Sequence, residues 1–227
     1  MPLFFQQQID DDTRLAVWKI EEDQAFFNVP LQKTIKHPQK RLQHLAGRYL
    51  LRHLFPDFPL SLVRIADTRK PYLEDEAFHF SISHCGDFAA AIVSKSRRVG
   101  IDIEVPTERV ERIKEKFLHE EELQFVTRQM SNVKEPIATT SDTLQTPNFK
   151  LETANTKLTL LWSSKEAVFK WWSYGKVDFS EMIRISDLPQ NESGMLKAKF
   201  IQDRSSYSLL ISYKIFKDLC LAWVATE

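Results

Sequence analysis

Glycine is scarce in this chain, with five among 227 residues. Neither GxGxxG nor GxxxxGK(S/T) occurs, which excludes the Gly-rich phosphate loops of dinucleotide-binding and P-loop proteins. The only two cysteines, Cys85 and Cys220, stand far apart and fit reduced thiols in a cytoplasmic protein. No stretch approaches the roughly 20 apolar residues that cross a bilayer. The opening MPLFFQQQIDDD has neither the basic region nor the apolar run of a signal peptide. Net charge is also absent, since 31 basic side chains balance 31 acidic ones. Overall charge therefore selects neither a nucleic acid nor a membrane as partner, and only local clusters can argue for one.

Apolar residues make up 43% of the chain and charged residues 27%, enough for a sizeable core at this length. Strand-like runs fall at 13–20, 62–66, 78–82, 88–93 and 98–104. An amphipathic helix begins at Pro38, with Leu42, Leu45, Ala46, Tyr49 and Leu50 on its apolar arc. Charged helical segments follow Thr107, and the segment 158–175 returns to helix, with Gly175 suited to its C-terminal cap. Three closing strands include a hairpin across Phe216–Asp218. Residues 129–157, rich in Thr, Ser, Asn and Pro, read as a flexible loop or insertion that folding does not need. The class is α+β.

Three clusters carry candidate chemistry. In VGIDIE (99–104), Asp102 and Glu104 lie on one strand face about 7 Å apart, with no base between them. Such acids repel unless something positive lies nearby. Removing either should relieve that repulsion and raise the stability of the metal-free protein. On the helix from Pro38, Lys40, His44, Arg48 and Arg52 recur every four residues beside Arg41. That costs a few tenths of a kcal/mol per pair without an anion, so the row suggests a phosphate-bearing ligand. In WSSKEAVFK (162–170), Glu166 and Lys170 share one face of a helix rich in apolar residues, where a carboxylate needs a partner. Ser83 and His84 in SISHC do not make a nucleophilic pair, because strand neighbours face opposite ways and no GxSxG elbow is present.

Taken together, these segments resemble the Sfp-type 4′-phosphopantetheinyl transferases. Gly100–Glu104 is similar to that family's G-(I/V)-D-x-E, and Trp162–Lys170 to its (F/W)-x-x-K-E-(A/S)-x-x-K. The segments KPYL (70–73), FSISH (80–84) and AGRYLLR (46–52) extend the likeness over residues 36–175, with Arg69 standing where the family often has glycine. The resemblance implies a pseudo-dimer of two similar α+β halves, each a helix on a small, mainly antiparallel sheet. Here these would be residues 1–101, with the basic helix, and 102–227, with the acids and the WSSKEAVFK helix.

It further implies transfer of 4′-phosphopantetheine from coenzyme A to a serine of an apo acyl or peptidyl carrier protein, releasing 3′,5′-ADP. Asp102, Glu104 and Glu166 would bind Mg²⁺, with Mn²⁺ as an alternative. Lys40, Arg41, Arg48, Lys70, Ser83, His84, Lys165 and Lys170 would bind coenzyme A, and Glu166 and Lys170 would act in catalysis. A cytoplasmic monomer without nucleic-acid or membrane partners is expected. The alternative is a non-catalytic nucleotide- or nucleic-acid-binding protein working through the basic helix.

Overall fold

The computed structural model describes residues 2–31, 34–131 and 154–227. The first half contains β1 (Leu3–Gln8), β2 (Thr13–Lys19), α1 (Pro38–Leu54), the short pair β3 (Arg64–Ile65) and β4 (Pro71–Tyr72), β5 (His79–Cys85) and β6 (Phe88–Ser94). The second contains β7 (Arg98–Glu104), α2 (Arg109–Ile113), α3 (Glu120–Ser131), α4 (Ala154–Trp172), α5 (Phe179–Met182), β8 (Ile183–Ile185), β9 (Ser193–Gln202), β10 (Ser205–Phe216) and β11 (Leu219–Thr226). One antiparallel sheet runs β1-β2-β6-β5 and the other β7-β11-β10-β9-β8. The chain is α+β.

Side-chain alternation along four strands sets the layering. On β2 and β6, Ala16, Trp18, Ala89, Ala91 and Val93 face α1 and its buried Leu45, Leu50, Leu51 and Leu54. Their neighbours Leu15, Val17, Ala90 and Ile92 face the second sheet, where they meet Val99, Ile101, Ile103, Leu219, Leu221 and Trp223. The other faces of β7 and β11 turn to α4, with Cys220, Ala222 and Val224 packed against Leu160, Leu161, Ala167 and Val168. The order is therefore α1, first sheet, second sheet, α4. Each fully buried leucine or isoleucine contributes about 2 kcal/mol by leaving water, so the inter-sheet core alone ties the two halves firmly together.

Several details differ from the sequence reading. The run at 62–66 shortens to Arg64–Ile65, because Leu60–Leu62 closes a 3-10 turn first. Strand β1 and the short α5 and β8 were not anticipated. Helix α4 ends at Trp172, and the left-handed residue just beyond it is Ser173 (φ 76°), with Gly175 (φ 69°) two positions later. Helix α3 reaches Ser131 and α4 starts at Ala154, so both ends of the expected 129–157 loop are helical. The rest of that segment lies outside the described residues. The chain crosses between sheets at 95–97, and the division at 101/102 falls inside β7.

Candidate active site between the two sheets

Strands β5 and β7 are the facing edges of the two sheets, and alternate residues of β5 reach across to β7. Ser81 Oγ accepts from the Ile101 amide at 3.2 Å, Ser83 Oγ donates to Asp102 Oδ1 at 2.7 Å, and Cys85 Sγ donates to Glu104 Oε2 at 3.1 Å. On the opposite side of β7, α4 comes unusually close. A Cβ on Gly100 would stand 2.5 Å from the Trp171 amide nitrogen and nearer still to the Ala167 carbonyl oxygen. Glycine is required here by space, and that close approach brings Glu166 and Lys170 over the acids.

The base missing from VGIDIE is thus supplied by α4. Lys170 Nζ donates to Asp102 Oδ1 at 2.6 Å and to Ser83 Oγ at 2.9 Å. This corrects the expectation that removing Asp102 only relieves repulsion, since its loss would leave the half-buried ammonium without its counter-charge. Glu104 accepts from Trp162 Nε1 at 3.4 Å as well as from Cys85. Burial, with Asp102 adding, raises the Glu104 carboxyl above its usual range. Burial, then Asp102 and Glu104, push Glu166 up to about 7 against the pull of Lys170.

A raised carboxyl pKa has a consequence for stability. Glu166 is protonated in both folded and unfolded chains below about pH 4.5. As pH rises toward and through 7 the folded state resists its ionisation and loses stability. In metal-free buffer at pH 8, Glu166→Gln should therefore be more stable than the wild type by on the order of 2 kcal/mol, with the gain absent at pH 4. Thermal melts across pH measure this, and an equal difference at both pH values contradicts it.

The donor set suits a hard divalent cation. Three carboxylates converge on one region, and Asp102 Oδ2 is buried without a hydrogen-bond partner. Among the described residues no group of three such side chains forms a ready-made cage, and Lys170 occupies the other Asp102 oxygen. The residues fit the ion by chemistry, and their side chains are not closed around it.

Behind β5, on the face opposite Ser83, a cavity of about 520 Å³ opens between β5 and α1, a size in the range of small-molecule sites. Its walls include Arg48 and His44 of α1, Ile82 and His84 of β5, Thr34 and Arg69. The His44 and His84 rings lie 5.1 Å apart. Burial, His44 and Lys170 hold His84 down at about 4, so it is a neutral hydrogen-bonding group at pH 7. A smaller cavity of about 190 Å³ shares Arg69, Pro71 and Ile82 with the first and is bordered by Lys170. The basic cavity and the acids are therefore neighbours across one strand.

Of the residues read from sequence, Asp102, Glu104, Glu166, Lys170 and Ser83 come together, and Arg48 and His84 line the adjoining cavity. Lys40 and Arg41 are exposed on the first turn of α1. Lys70 turns to the end of α4, donating to the Lys170 carbonyl at 2.5 Å and to Ser173 Oγ. Lys165 requires correction. It is wholly buried, and its ammonium donates to Glu122 Oε2 at 2.6 Å and to the carbonyls of Phe117, Phe179 and Ile183, which leaves nothing for a cofactor. Sequence reasoning missed His44 and Arg69 as cavity walls, although His44 belongs to the basic row. It also missed Glu122, whose spacing from His119 marks a helix-capping pair: the His119 amide donates to Glu122 Oε2 at 2.7 Å.

Comparison with known proteins points the same way. Residues 98–224 match the model of the 4′-phosphopantetheinyl transferase superfamily. Enterobactin synthase component D of Salmonella typhi is 30% identical over 138 residues, covering 60% of this chain and 49% of that protein. The same component of Salmonella austin is 39% identical over 66 residues, covering 29% of this chain and 28% of that protein. The chain thus spans about half the length, or less, of the curated relatives it matches. The matched family region runs from β7 to β11, so it takes in the paired acids, the close helix crossing at Gly100 and the Glu166–Lys170 face. On these grounds the chain belongs to the 4′-phosphopantetheinyl transferase superfamily.

Proposed function

We propose that the protein transfers 4′-phosphopantetheine from coenzyme A to a serine hydroxyl of an acyl or peptidyl carrier protein and releases 3′,5′-ADP. One observation carries this reading: a basic, nucleotide-sized cavity and a set of three acids with Lys170 flank the same strand. The cavity's Arg48 and His44 suit phosphate oxygens, and neutral His84 suits a hydrogen bond. Arg48 is buried and faces a cavity, which favours a small phosphorylated ligand over a nucleic-acid backbone. Both halves lie in one chain, which supports the Sfp type acting as a monomer. Free Cys85 and Cys220 suit a cytoplasmic setting.

In the reaction, Glu166 accepts the proton of the carrier serine. Its pKa of about 7 is that of the metal-free site, and a bound cation would lower it and make metal binding the larger part of its role. The serine oxygen bonds to the pantetheine-side phosphorus, and the bond from that phosphorus to the bridging oxygen breaks. Lys170, steered by Asp102 and Ser83, offsets charge on the departing 3′,5′-ADP or gives it a proton. Mg²⁺ or Mn²⁺ held by Asp102, Glu104 and Glu166 would supply positive charge to the pyrophosphate. The relatives are named as a component of a synthase, so a synthase carrier domain is the first partner to try, ahead of a fatty-acid carrier.

Two variants test the division of labour. Arg48→Ala should raise the KM for coenzyme A by about tenfold or more while sparing the KM for the carrier. Asp102→Asn should lower kcat by about 100-fold with the fold intact. Equal effects of Arg48→Ala on both KM values, or wild-type turnover by Asp102→Asn, would contradict the proposed roles.

A further inference from the structure

Arg69 occupies a backbone position that favours another residue. Its φ of 66° lies in the left-handed region, which is costly for a residue with a Cβ and free for glycine. The conformation is held by a tight loop: the Arg69 amide donates to the Ala66 carbonyl at 2.8 Å, and the Ala66 amide to the Lys70 carbonyl at 2.9 Å. The flanking side chains are committed elsewhere. Thr68 Oγ1 donates to the Ser173 carbonyl at 3.4 Å, and Lys70 donates to the Lys170 carbonyl, so both bind the end of α4. Arg69 lines the cavity that holds His44, Arg48 and His84, as well as the smaller one beside Lys170. Among the described residues its guanidinium has no hydrogen-bond or ion-pair partner. Arg69 is exposed, so water solvates its guanidinium in the ligand-free protein, but it stands in a strained position between two cationic walls, where an entering phosphate would gain a charge-assisted contact.

We propose that Arg69 is a further binding residue for the cofactor, contacting a phosphate of coenzyme A where the two cavities meet. This rests on the coenzyme A reading of the cavity given above. Strain at Arg69 is then tolerated because only a long cationic side chain at this point of the loop reaches the ligand, whereas glycine would leave that part of the pocket without charge.

The inference makes two opposite demands on one substitution. Arg69→Gly should weaken coenzyme A binding, measured by calorimetry, by about tenfold. The same change should raise the Tm of the ligand-free protein by about 1–3 °C as the strain is relieved. Arg69→Asn, also at ease in the left-handed region but uncharged, should lose affinity to the same degree, and serves if the glycine variant folds poorly. Dephospho-coenzyme A locates the contact. A loss confined to coenzyme A assigns the 3′-phosphate, and an equal loss for both assigns the pyrophosphate. Coenzyme A affinity within twofold of wild type in both variants would overturn the role of Arg69 and leave the reading of the cavity standing. Failure of the wild-type protein to bind coenzyme A would overturn both.

Discussion

Gly100→Ala should destabilise the protein by about 3 kcal/mol and abolish most transfer activity, although a single methyl group is added. Gly100 does not have positive φ, so backbone freedom is not the issue. The new Cβ would meet main-chain atoms of α4, the Ala167 carbonyl and the Trp171 amide, which cannot swing aside as a side chain can. Relief comes only by lifting α4 from β7. Lifting it separates Lys170 from Asp102 and Ser83, and it opens the packing of Ala167 and Val168. Chemical denaturation gives the stability change, and turnover of folded protein gives the activity. A variant with wild-type stability and turnover would show that the helix does not need this approach.

Lys165→Met should cost about 3–5 kcal/mol, a large share of the 5–15 kcal/mol that holds a typical domain. The buried ammonium joins Glu122 to three main-chain carbonyls from the segment after α2, from α5 and from β8. Burial pushes its pKa down, and the adjacent Glu122 carboxylate opposes that shift. Methionine matches the stem but leaves those carbonyls without a donor and Glu122 without its counter-charge, though the amides of His119 and Ile185 still donate to that carboxylate. Adding Glu122→Gln should recover part of the loss by removing the orphaned charge. If Lys165 served coenzyme A instead, the single variant would fold normally and show only a raised KM.

The difference between Lys165 and Lys170 shows where sequence reading stops. Periodicity places the two side chains on different faces of α4, and the motif places Lys170 with Glu166. Neither says which face meets protein interior, and that depends on α5 and β8, elements too short to leave a pattern. Strand β1 was missed for a related reason, since FFQQQ does not alternate. Where the pattern was clear, as a short apolar run in FAAAIV or as alternation in RVGIDIE, the strands fell at the expected residues, and Pro38 marked the start of α1. The acids at Asp102 and Glu104 were legible as a pair. Their neutralising lysine was not, because it arrives from 68 positions later along the chain through contact with α4. Arg69 was visible only as an unexpected residue, and its meaning needed the sign of one backbone angle.

The central claim is that the basic cavity and the acid cluster act together on coenzyme A and a carrier serine. The most direct test is the intact mass of an apo-carrier domain after incubation with the protein, coenzyme A and Mg²⁺. Wild-type protein should add one phosphopantetheine to the carrier and release one 3′,5′-ADP for each, and Asp102→Asn should leave the carrier almost unmodified. A carrier that a known transferase modifies, but whose mass this folded, coenzyme A-binding protein leaves unchanged, would contradict the account.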